Sequence, residues 1–198
     1  MGGPGAADRS QTEDKRVTAE DDFLSRLRNG EHDAFDVLVD RFEDPLYRYF
    51  LASHGDPQLA GEQSADCFGN LVESLPKMTG GPNQLLPFVF AVARNVLRRE
   101  WRRKSCDFAP LDVAAKATDN RPAPDIEFET KDESARAIEA IQSLDPATRD
   151  VFLLRFVEQM SVADVALAVG EPVGTIKSRL HRGRQRLQEI LQSTSERR

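Results

Sequence analysis

Residues 161–180 read SVADVALAVGEPVGTIKSRL, and this stretch decides the fold class. Ser161 suits an N-cap ahead of the apolar run 162–169, Gly170 stops that run, and Pro172 introduces another. Ala166 is a small side chain where two helices can cross closely, and Ile176 and Leu180 supply core contacts after the turn. This is the layout of a helix-turn-helix. At about 100° per residue, Leu180, Gly183 and Leu187 fall within about 40° of Ile176, so that stripe must face a core. The opposite side then carries Gly174, Ser178, His181 and Gln185, flanked by Lys177 and Arg182, with Arg179, Arg184 and Arg186 projecting sideways. Hydrogen-bonding edges with flanking cations suit a helix in a major groove, where bases are read and phosphates held.

Working outward, the basic character of this helix stands against the rest of the chain. The 198 residues carry 33 acids and 27 bases, a formal charge of −6 that argues against a general polyanion binder. The charge is segregated, however. Residues 1–22 hold six acids against three bases and residues 105–135 hold eight against three, together −8, which leaves the remainder at +2. Within that remainder, 174–187 has five bases and no acid, and 94–104 (RNVLRREWRRK) has six bases against Glu100 alone. Local basic faces, not the bulk charge, form the footprint a nucleic acid meets.

The apolar pattern is helical throughout. Phe23, Leu27, Ala34, Phe35, Leu38, Val39, Phe42, Leu46 and Phe50 recur at spacings of three and four, punctuated by Gly30 and Pro45. A further helix is expected from about 59 to 75, then a Gly-Gly-Pro loop at 77–84 (KMTGGPNQ), then a helix from about 87 to 104. Helices are also expected around 134–142 and, from the Asp145-Pro146 cap, to about 157. No strand-like alternation occurs, so the class is all-α: two small helical domains, 22–105 and 134–194, joined by a flexible acidic linker, 106–133, and preceded by a disordered acidic tail, 1–21.

Several function classes drop out. The long apolar stretch 85–93 is nine residues with a proline inside, whereas a membrane span needs about 20. No secretory signal opens the chain, and two cysteines are too few for a disulfide framework, so a cytoplasmic location is expected. His32, His54 and His181 come with no metal-ligand spacing, phosphate loop or nucleophile motif. No enzyme, no cofactor and no metal are expected, and His54 and Cys67 read as structural. Phe88, Phe90 and Trp101 lie near the arginines of 94–104; aromatics so placed can stack unpaired bases, although Phe88 and Phe90 read first as core.

With these residues in view, 144–187 (LDPATRDVFLLRFVEQMSVADVALAVGEPVGTIKSRLHRGRQRL) resembles region 4 of the sigma-70 family of bacterial transcription initiation factors, in its short extracytoplasmic-function (ECF) group. The resemblance implies that Lys177, Ser178, His181 and Arg182 meet bases or adjacent phosphates of a promoter's minus-35 element, with Thr175, Arg179, Arg184 and Arg186 on the DNA backbone. The first segment is similar to region 2, which in the family binds core RNA polymerase and melts the minus-10 element. On that resemblance Glu62 and Asp66 fall at polymerase-binding positions, and Lys77, Thr79, Asn83, Phe88, Arg94, Asn95, Arg98 and Arg102 at the minus-10 single strand. The sequence departs from the family at Phe88 and Phe90, where Trp and Tyr are usual, at Ala91 in place of Arg, and at Ala65 in place of Gln. The implied function is an initiation factor with core RNA polymerase and promoter DNA as partners and an anti-sigma factor as a further partner to consider. The competing reading is a helix-turn-helix regulator that does not bind polymerase.

Overall fold

The computed structural model describes residues 19–107 and 140–195. The expected tail, most of the linker and the start of the helix expected at 134–142 lie outside the described residues. Among those described, every regular element is helical. The helices are α1 (residues 19–28), α2 (His32–His54), α3 (Pro57–Ser74), α4 (Leu85–Asp107), α5 (Pro146–Phe152), α6 (Val162–Val169) and α7 (Val173–Ser195).

Local chemistry sets most of the ends. Gly55 closes α2 in the left-handed region (φ 77°), its amide donating to the Leu51 carbonyl at 2.7 Å. Asp56 then caps α3, its carboxylate accepting from the amides of Gln58 and Leu59 at 3.0 and 3.1 Å, with Pro57 in the first turn. Ser161 caps α6 by accepting from the Asp164 amide at 3.0 Å, and Gly170 ends it at φ 71°.

Pro45 does not break the helical run as expected: α2 passes straight through it. The proline removes one donor and crowds the preceding turn. The flanking Arg41, Glu43 and Asp44 are exposed, so water can serve the orphaned carbonyl, while Ala34, Leu38, Phe42, Leu46, Tyr49 and Phe50 keep an unbroken buried face. A second irregularity follows α5, where residues Leu153–Val157 form a π turn. Glu158 donates its amide to Leu153 and Met160 to Leu154, both at 3.1 Å. Phe156 is exposed on this turn, whereas Leu153 and Leu154 are buried.

In the first segment α2 packs on α3 and α3 on α4; in the second, α7 packs on both α5 and α6. The two segments also meet, because α6 lies against α4 and the π turn against α2. One continuous core results, running from Leu38, Phe50 and Phe90 to Leu153, Val165 and Ile176. Tyr49 sits near its centre with ring centroids 5.4 Å from Phe50 and 5.6 Å from Phe90, both edge-on. Cys67 is fully buried in the same core, and burial pushes its thiol up to about 12.

Candidate nucleic-acid interface

The α7 stripe behaves as its periodicity requires. Ile176 and Gly183 are buried and Leu180 and Leu187 half-buried, while Lys177, Ser178, His181, Arg182, Arg184 and Gln185 are exposed. Gly183 is where α7 crosses α5: a Cβ there would stand 2.9 Å from Thr148 Cγ2 and 3.1 Å from Phe152 Cδ2. The Ser178 hydroxyl donates to the Gly174 carbonyl at 3.0 Å, which holds it on the helix with its lone pairs outward. Below Arg182 lies a cleft of about 260 Å³ lined by Ser143, Asp145, Thr148 and Arg186. Burial works to raise Asp145, but hydrogen bonds from Thr148 and Ala147, with Arg182 nearby, hold its carboxyl below the ordinary range.

The flanking cations are not equivalent. Arg179 is half-buried in a two-pronged pair with Glu171 of the interhelical turn, with both N···O distances 2.8 Å, so its charge is already matched within the motif. Arg186 pairs with Glu189 at 2.9 Å on the open surface. Arg184 lies over the exposed ring of Phe156, its Cζ 5.1 Å from the centroid, with Arg155 on the same ring at 6.0 Å. Thr175 is half-buried.

In the first segment, Lys77, Thr79 and Asn83 are exposed on the Gly-Gly-Pro loop. Gly80 holds this loop at φ 103°, a conformation that suits glycine, and its carbonyl accepts from Arg28 at 2.5 Å. Asn95 and Arg98 are exposed on α4. Phe88 is half-buried against the core, and the side chain of Arg102 lies outside the described residues. Glu62 and Asp66 are exposed on α3. Asp66 borders a groove of about 700 Å³ between α3 and α4 that also involves Asn70, Val96 and Arg99. A smaller hollow beside it adds Glu73, Lys77 and Asn95. Glu73 belongs to no motif and Arg99 is one cation among several in the run 94–104; that both line one hollow follows only from the packing of α3 on α4.

Arg94 is not at the surface where its basic run placed it. Expected on an unpaired DNA strand, it is only 4% exposed. Its Nε donates to Asp150 Oδ2, and its Nη1 donates to the Ala168 and Val169 carbonyls at 3.2 and 3.0 Å. The Tyr49 hydroxyl donates to the other oxygen of Asp150 at 2.5 Å. Burial first, and then the Asp150 charge, hold that hydroxyl well above its usual range, so it remains a donor. The nearest charge complement to Arg94 lies in the other segment, and that decides its placement.

Residues 134–187 match the family described as Sigma-70, region 4. The chain is 25% identical over 174 residues to the ECF RNA polymerase sigma factor BldN of Streptomyces coelicolor, covering 86% of this chain and 65% of that protein. It is 22% identical over 178 residues to the ECF RNA polymerase sigma factor SigW of Bacillus subtilis, covering 85% of this chain and 94% of that one. Residues 134–187 belong to the sigma-70 region 4 family, and the relatives aligned over most of the chain are ECF sigma factors. Its fold is that of the sigma factor RpoE of Bartonella quintana, solved with the anti-sigma factor NepR, at a TM-score of 0.62 and 21% identity over 80% of this chain and 96% of that one. The region 4 match takes in the whole of α5 and α6, and α7 as far as Leu187. Among the described residues, no three His, Cys, Asp or Glu side chains are grouped to hold a metal, and no helix is long and apolar enough to cross a membrane.

Proposed function

We propose that this chain is a transcription initiation factor that binds bacterial core RNA polymerase and directs it to promoters. The observation that carries the reading is the two-sidedness of α7: Ile176 and Gly183 are buried while Lys177, Ser178, His181 and Arg182 stand in solvent on one face. In the proposed mechanism that face enters the major groove of the minus-35 element, with Arg182 and Lys177 reading acceptor edges, while Arg184 and Arg186 hold flanking phosphates. Glu62, Asp66 and the α3–α4 groove receive the polymerase. Lys77, Thr79, Asn83, Asn95 and Arg98 meet the opened minus-10 strand, and Phe88 offers a ring edge to its bases. The chain supplies binding energy rather than covalent catalysis, works in the cytoplasm, and is open to binding by an anti-sigma factor, with which a protein sharing its fold is solved in complex.

The test is transcription in vitro with purified core polymerase and genomic fragments. Initiation at discrete sites that depends on this chain is expected. Specific DNA binding with neither polymerase capture nor initiation would instead establish the helix-turn-helix regulator.

A further inference from the structure

We propose that Glu171 is a brake on DNA affinity: it holds the guanidinium of Arg179 within the helix-turn-helix, so that this cation does not reach the phosphates beside the reading face. The inference rests on the reading of α7 as a groove-reading helix. The grip is two-pronged. Arg179 Nη1 donates to Glu171 Oε1 at 2.8 Å, and Nη2 lies 2.8 Å from Oε2. The acid stands on fixed backbone, because the Glu171 amide donates to the Ala166 carbonyl at 3.1 Å, directly after the left-handed Gly170 and ahead of Pro172. Arg179 itself lies about 60° round α7 from the buried Ile176, nearer the core-facing stripe than Ser178 or His181.

Two arginines of α7 are paired to acids, and the pairs differ in how readily a phosphate can part them. Arg186 and Glu189 meet one turn apart with side chains 61% and 64% exposed, so water and salt already loosen them and a phosphate displaces the acid with little loss. Arg179 and Glu171 are 18% and 27% exposed and joined across the interhelical turn, where solvent screens the attraction less and both prongs would have to be released together. The run 174–187 counts five cations and no acid, but Glu171, three residues before it, cancels one of them. Duplex affinity depends on salt in proportion to the phosphates neutralised, and base reading does not enter that count. Glu171 therefore weakens the hold on any duplex and leaves Lys177, Ser178, His181 and Arg182 exposed to read one. Firm promoter engagement then depends on the further contacts that polymerase brings.

The test measures binding of the full-length chain to a labelled duplex of random sequence, by fluorescence anisotropy across a potassium chloride series. Glu171→Gln should bind about eightfold tighter at about 0.1 M salt and steepen the salt slope by about 0.9, the contribution of one phosphate contact. Adding Arg179→Gln should return the wild-type slope, since the paired motif and the doubly neutral one present the same charge. Glu189→Gln should scarcely move it. An unchanged slope in Glu171→Gln would overturn the brake. So would a double variant flatter than wild type, which would show that Arg179 already holds a phosphate, and so would an equal steepening from Glu189→Gln, which would reduce the effect to net charge. Should circular dichroism show that Glu171→Gln has lost helix, Arg179→Lys takes its place: a lysine is a point charge without the fork, so the grip loosens and the slope should steepen in part. No duplex binding, or none that responds to salt, in every variant would remove α7 as the DNA-reading helix and the brake with it; a salt-dependent wild type that Glu171→Gln does not alter would remove only the brake.

Discussion

Gly183 of α7 and Thr148 of α5 approach so closely that a Cβ on the glycine would stand 2.9 Å from the threonine methyl. Thr148 is itself 4% exposed and Phe152, on the same side, 9%, so neither can swing clear. In an exposed helix Gly→Ala stabilises by up to about 1 kcal/mol. Here overpacking reverses the sign: Gly183→Ala should destabilise by about 1 to 3 kcal/mol, read as a lower midpoint in chemical denaturation. A stabilised variant would mean that α7 stands further from α5 than described.

Arg182 projects into solvent beside the groove-reading face of α7. If it makes a two-pronged base contact, Arg182→Ala should weaken binding to the cognate minus-35 element by about 1 to 3 kcal/mol and scarcely alter binding to scrambled duplex. Fluorescence anisotropy on both sequences decides it, and an equal loss on each would move Arg182 to the phosphate set.

Phe156 sets the position of Arg184, whose guanidinium lies over its ring. Arg184→Ala should flatten the salt dependence of DNA binding by roughly one unit of slope. Phe156→Leu retains an apolar contact for Phe152 yet loses the ring face, so it should reproduce part of that flattening. Phe156→Tyr should restore the wild-type slope, and a Leu variant with an unaltered slope would exclude the positioning role.

Glu158 gives a pH dependence. Burial raises its carboxyl from an ordinary value near 4.5 to about 7, with Arg48 opposing. The folded, docked chain therefore binds more protons than the unfolded one between those values, and its stability falls as pH rises through them. Denaturation midpoints should decline from about pH 5 to pH 7.5, and Glu158→Gln should remove that part of the slope. A Gln variant with the same profile would assign the dependence elsewhere.

Much of the fold was legible because it follows from short-range rules. The Ile176 stripe, the Ser161 and Asp145 caps and the Gly170 stop each depend on residues within one or two turns, and each is found as expected. What escaped depends on partners remote in sequence. Arg94 looks like one more cation in a solvated run, because the carboxylate that claims it is 56 residues away. Arg179 resembles its neighbours until Glu171 is seen across the turn. Pro45 reads as a break since only the packed face of α2 shows that tertiary burial outweighs a lost donor. The outward set on α7 was readable from periodicity, whereas the α3–α4 groove, with Arg99 and Glu73, was not.

Cys67 carries a last consequence. A sulfur sealed among hydrocarbon and protonated at every physiological pH offers no thiolate to oxidants or alkylating reagents while the core is intact. Its reaction rate with such reagents is therefore a clock for global opening, readable by mass spectrometry without any label added to the chain.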